Sequence, residues 1–383
     1  MRGNARITVF LLALGISGWN CGNVGPVVQP LASEFDVGLG EIGLLSGTFF
    51  FGGIVAATLV ASALAPRIPV VTGIRAACAL AAAGNLIVAA SPVFAGLVGG
   101  RVIAGLGVGL SFLYVPAFAR AVGGVKLLGV FGAGLTLGIA SALALGSVME
   151  EAGIDWRWAF ALTAALSVVA LPMLPREVVI ERAPHTDDEG IWPRSLTSGA
   201  WWRVELLGLT ALSIPLVIGA WLVHYLTAGD GVSTATAGAM AFGLFGVSAL
   251  MRDVAGRMAA SGVPHLALVV GGLGLGAAGL LLLGQDRTLP AAAGSIVLIG
   301  IGLSLPYPLF YDEAERVFPD RPIGGLGTLM VGLNVVPMLV VPLFGLALAS
   351  GDADLAFACL AVFALASAAL NARPAVGSTA PPG

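Results

Sequence analysis

Two apolar runs near the start of the chain, Ile7 to Leu31 and Ile42 to Ala65, contain no charged residue. Each is longer than the roughly 20 residues a helix needs to cross a bilayer core. Comparable runs recur to residue 371. Inside hydrocarbon every backbone polar group must find an internal partner, which leaves helices or closed barrels. Barrel strands alternate apolar and polar residues, and these runs do not. Composition agrees: 10% of residues are charged and mean hydropathy is +0.98, against about 25% charged in ordinary soluble domains. Arg2 and Arg6 ahead of Ile7 resemble a secretory leader, but the run is too long and is read as the first span.

Spans are expected near 7–32, 41–65, 70–90, 92–119, 126–148, 156–175, 203–227, 233–252, 264–284, 289–311, 323–349 and 353–371. The fold class is therefore all-α integral membrane, with about 12 transmembrane helices in two pseudo-symmetric six-helix bundles. The expected divisions are an N-terminal bundle over 1–175, a cytoplasmic linker over 176–202, a C-terminal bundle over 203–371 and a disordered tail over 372–383. Of the 18 Lys and Arg, only Arg157 and Arg287 fall in loops on one side and only Arg101 falls well inside a span. The other fifteen lie in loops on the opposite side or in the termini. Cytoplasmic loops carry the Lys and Arg excess, so both termini are expected to be cytoplasmic, in a multi-pass protein of the cell membrane.

The halves repeat. Gly109-Leu110-Ser111-Phe112-Leu113-Tyr114 in the fourth span matches Gly302-Leu303-Ser304-Leu305-Pro306-Tyr307 in the tenth, 193 residues on. Parallel six-helix repeats place a ligand at the repeat interface near the midplane.

On three further motifs the sequence resembles the major facilitator superfamily, over nearly the whole chain. Asp155-Trp156-Arg157-Trp158-Ala159-Phe160 is similar to the opening of that superfamily's sixth span. Gly100-Arg101-Val102-Ile103-Ala104-Gly105-Leu106-Gly107 is similar to its membrane arginine motif. Arg252-Asp253-Val254-Ala255-Gly256-Arg257-Met258 resembles its basic loop. In the equivalent first-half loop, Ser62 to Pro69, only Arg67 is kept, and Gly134 to Ile139 lacks the proline of the antiporter motif. The resemblance implies secondary transport by alternating access, as symport or uniport, in a prokaryotic-type carrier. It also implies gating roles for Arg67, Arg252, Gly256 and Arg257.

An ionisable residue within a span marks a functional site by default. Arg101 is read either as the dock for an anionic group or as a structural donor to carbonyls of the first helix. Asn20 and Asn23, three apart, share a helix face; they bind a polar ligand or fasten helices together. Asn334 carries the same two readings. Tyr114 and Tyr307 are candidate cavity residues, with interface anchoring as the alternative. His224, Glu41 and Asp312 are candidates for proton coupling, His224 also being readable as an interfacial side chain. No Asp, Glu or Lys is expected deep within a span. The glycines are read as helix packing. Cys21, Cys78 and Cys359 are far apart and no metal or cofactor is implied.

The expected function is transport of a small organic solute, an anion being the class Arg101 favours. Multidrug or lipid efflux is the second reading, and a non-transporting receptor or scaffold the third. No nucleophile, base or metal cluster suggests an enzyme, and nothing implies nucleic acid. The partners are a small-molecule substrate and the bilayer, the chain acting as a monomer.

Overall fold

A computed structural model describes residues 2–64, 68–176, 178, 197–229, 232–317 and 322–373. Among them there is no strand. Among the described residues eleven helices are long and apolar enough to cross a membrane: α1 (Asn4–Phe35), α2 (Leu39–Ala61), α3 (Val70–Ala90), α4 (Phe94–Gly123), α5 (Lys126–Glu151), α7 (Gly199–Thr227), α8 (Thr234–Ala260), α9 (Ala267–Gln285), α10 (Leu289–Ala314), α11 (Thr328–Ser350) and α12 (Ala353–Leu370). The sixth span is the shorter apolar helix α6 (Arg157–Met173). Arg67, most of the linker and the tail beyond Arg373 lie outside the described residues.

Among the described residues α1, α2, α7 and α9 each carry a π-helical turn, and those of α1 and α7 lie within three residues of the repeat register. That of α1 covers Ala13–Gly18 and that of α7 covers Leu209–Ser213, starting 196 residues apart. Such turns recur at functional positions in helices. In α10, Pro306 has no N–H to donate, and the chain turns at residues 303–306 before resuming as Tyr307–Val317.

Helix pairs meet on glycine because lipid offers no hydrophobic drive for association and close backbone packing has to supply it. A Cβ on Gly84 would lie 2.4 Å from the Ala104 nitrogen, one on Gly105 2.2 Å from the Phe50 carbonyl oxygen, one on Gly138 2.6 Å from the Leu14 oxygen, and one on Gly302 2.2 Å from the Gly276 nitrogen. Those contacts join α3 to α4, α2 to α4, α1 to α5 and α9 to α10. Large apolar side chains such as Leu59, Val60, Leu86, Leu343 and Val362 stay exposed, as acyl chains require.

By Cα proximity the chain forms two compact units: Met1–Arg182 with Leu216–Gly246 and Pro337–Asp352, and Ala183–Pro215 with Val247–Val336 and Ala353–Gly383. The first therefore holds α1 to α6 together with segments of α7, α8 and α11.

Candidate functional site

In the first unit Arg101 of α4 is 1% exposed. Its guanidinium carbon lies 3.9 Å from the Phe50 ring centroid. Nη1 donates to Asn23 Oδ1 at 3.1 Å, Nη2 donates to the Asn20 carbonyl at 3.2 Å, and Nε has no partner among the described residues. Asn23 Nδ2 donates onward to Asn85 Oδ1 (3.1 Å) and Thr163 Oγ1 (3.3 Å), and Asn85 Nδ2 donates to Asn20 Oδ1 (2.7 Å). One network thus ties α1, α3, α4 and α6.

The structure brings Arg101, Asn20 and Asn23 together and adds Asn85 and Thr163, which sequence reasoning missed. No carboxylate pairs with Arg101 among the described residues. Its positive charge is met only by amide oxygen, carbonyl and a π face. Tyr114, 2% exposed, turns its ring onto Gly73 of α3, and its hydroxyl has no partner among the described residues.

One end of this unit is closely tied. Arg157 Nη2 meets Glu34 Oε1 at 2.5 Å, Trp156 Nε1 donates to Glu34 Oε2 at 2.6 Å, and Trp156 packs edge-on against Phe35 and Phe160. The Arg157 and Glu34 side chains are 32% and 39% exposed, so Glu34→Gln is expected to cost under about 1 kcal/mol. Trp156→Ala should cost about 3 kcal/mol through lost ring packing. Melting of the two variants side by side checks that order.

At the same end Gln29 Nε2 and His224 Nδ1 are 3.1 Å apart, beside a cavity of about 20 Å³ lined also by Glu150 and Thr227, room for about one water. Trp221 Nε1 donates to the Val341 carbonyl (2.9 Å), Thr48 Oγ1 to the Met338 carbonyl (2.9 Å) and the Ala235 amide to Glu151 Oε2 (2.6 Å). Glu41 is exposed.

In the second unit Arg252 stacks over the Tyr307 ring at 4.2 Å and donates to the Ala211 carbonyl, while the Tyr307 hydroxyl donates to that of Tyr311 at 3.3 Å. Asn334 donates to the Met330 carbonyl of its own helix. Asp312 pairs with Arg316 (2.6 Å) and Arg257 with Asp253 (2.5 Å), both at exposed positions, and no atom lies within 4 Å of a Cβ on Gly256.

The structure adds a buried acid near the start of the seventh span, which the sequence candidates did not include. Glu205 of α7 is 1% exposed, with neither carboxylate oxygen hydrogen-bonded among the described residues. The span starts at Gly199 rather than 203, which carries Glu205 further in. The signal available in sequence was an acid already inside the expected span, masked by its Trp and Arg neighbours.

Helices of this length and apolarity define a multi-pass α-helical membrane protein. The sequence model of the Major Facilitator Superfamily matches residues 10–326, and the chain belongs to that superfamily. Solved structures share the fold. A bacterial homologue of the human lysosomal transporter Spinster, inward-facing and unoccupied, has a TM-score of 0.76 and 16% identity, covering 97% of this chain and 96% of that one. The inward-open xylose transporter XylE from E. coli has a TM-score of 0.79 and 13% identity, covering 100% and 98%. The nucleoside transporter NupG has a TM-score of 0.76 and 12% identity, covering 96% and 99%. A comparison with curated proteins returns no match.

Proposed function

We propose that this protein is a secondary transporter of the cell membrane that carries a small organic solute by alternating access, as a monomer. The proposed architecture is two six-helix repeats joined through 176–202, with both termini cytoplasmic. One observation carries the reading: segments of α7, α8 and α11 pack with α1, α2 and α5 through the Gln29–His224, Thr48–Met338 and Ala235–Glu151 contacts. The excess of Lys and Arg in the opposite loops supports an external position for that end. A seam of individually weak contacts between helices of the two repeats, drawn shut at one face, is what an alternating carrier must open and close.

The solute class we favour is an anion, on the strength of the uncompensated Arg101 charge; direct contact requires the Asn23 bond to open. The test is exchange of labelled lactate, xylose and uridine in proteoliposomes. Saturable exchange of lactate above the neutral solutes is the expected result. Exchange confined to the neutral solutes would overturn the anion assignment and leave carriage standing, and no exchange of any solute across a wider panel of organic acids, sugars, nucleosides and amphipaths would overturn carriage itself.

A further inference from the structure

Glu205 has no role in the network around Arg101, yet burying an acid without a partner needs a physical reason. A carboxylate stripped of water and unpaired costs far more than the same group as a neutral acid. Both oxygens of Glu205 are buried without a hydrogen bond among the described residues. The space around them is fitted to the carboxyl group. A Cβ on Gly332 of α11 would lie 2.1 Å from Oε1 and 2.6 Å from Cδ. One turn along, Gly208 rests on the Phe310 ring and Leu333, so apolar surface adjoins the pocket. The site sits beside the π-helical turn of α7.

Several charged and titratable groups of the surrounding helices make contacts of their own. On α10 and its continuation, Tyr307 and Tyr311 bond to each other, Asp312 pairs with Arg316, and Glu313 lies 4.0 Å from Arg316. On α8, Arg252 stacks on Tyr307 and Asp253 pairs with Arg257. On α7, Arg203 donates to the Leu370 carbonyl. On α12 the titratable groups are Asp354 and Cys359, and the described part of α11 has none.

We propose that Glu205 is the side chain through which this carrier binds its coupling proton. The inference rests on the transport reading above. Glu205 carries one proton in the conformation described here, with the Gln29–His224 end closed. It releases that proton in the alternate conformation, where rearrangement of α7 and α11 brings water to the carboxyl. Protonation and closure of the outer end then favour each other. Raising the pH opens that end, by at most about tenfold in the open-to-closed ratio per pH unit for one linked proton.

The test needs no solute. Spin labels on Gly38→Cys and Leu346→Cys, in a full-length chain with Cys359→Ser, report the outer end, since Gly40 and Leu346 are in contact. Distance distributions are recorded in lipid nanodiscs across a pH series. In wild type the closed population should fall as pH rises. In Glu205→Gln, which mimics the neutral acid, it should stay high at every pH. In Gly332→Ala, which occupies the space of the carboxyl, the midpoint should move; this variant decides the matter if the glutamine protein does not fold. Infrared spectra of wild type should show a protonated-carboxyl band at neutral pH that shifts in D2O. A closed population independent of pH in wild type, a dependence that survives Glu205→Gln, or an unmoved midpoint in Gly332→Ala overturns the proposal. A pH dependence carried by Glu205 in a protein that exchanges no solute would instead sink the transport reading.

Discussion

Arg101→Ala is expected to lower the stability of the folded protein by about 4 kcal/mol. Interhelical hydrogen bonds in membranes average about 0.6 kcal/mol each, and the guanidinium makes two, to Asn23 and to the Asn20 carbonyl. The desolvated cation over Phe50 adds about 2 kcal/mol. Truncation also strands the Asn23 oxygen in the interior, at a cost of about 1 kcal/mol or more. Arg101→Lys should fall between wild type and alanine, because an ammonium cannot fork to both acceptors. Thermal melting in detergent, followed by tryptophan fluorescence, reads the difference. If alanine leaves the melting temperature unchanged while abolishing exchange of an anion, the side chain serves the solute and its contribution to stability is negligible.

A larger loss is expected from Gly138→Leu. A Cβ there already lies 2.6 Å from the Leu14 oxygen and 2.8 Å from the Gly18 Cα, so α1 and α5 touch backbone to backbone. Adding even a few methylenes to a packed interior costs about 1–3 kcal/mol. Here the clash is with main chain that cannot rotate away, so the helices must separate. The effect should exceed about 4 kcal/mol, beyond what side-chain adjustment can absorb, and appear as loss of the monodisperse peak in size-exclusion chromatography. Gly99→Leu is the control, because nothing lies within 4 Å of a Cβ at that exposed position of α4. Equal yields from the two variants would refute close glycine packing between α1 and α5.

Much of the helical frame was legible because the constraint is one of length and solvent. The third span was expected at 70–90 and is Val70–Ala90, bounded by Pro69 and by Ser91-Pro92. The start of α7 was less legible. Ser198 caps the helix by accepting from the Trp201 amide, but Trp201, Trp202, Arg203 and Glu205 look interfacial, and the acid among them escaped notice. The pairing of Asn20 and Asn23 on one face followed from helix period. Their bonds to Asn85 and Thr163 did not, since partners 62 to 140 residues away leave no trace in one chain read alone. Tyr114 and Tyr307 share a repeat register, yet their surroundings differ. Residues 94–123 form a continuous helix through Tyr114, whereas Pro306 interrupts the chain just before Tyr307.

The central claim is that the end bearing Gln29 and His224 opens and closes as solute crosses. Fixing it shut is the most direct test. A Cβ on Gly47 lies 2.9 Å from the Val341 Cβ, and a disulfide places such atoms about 3.8 Å apart, within reach of a small shift. Gly47→Cys with Val341→Cys, in the Cys359→Ser background, should lose exchange of the best-carried solute on oxidation and regain it on reduction. Full exchange through the oxidised, cross-linked protein would contradict the account.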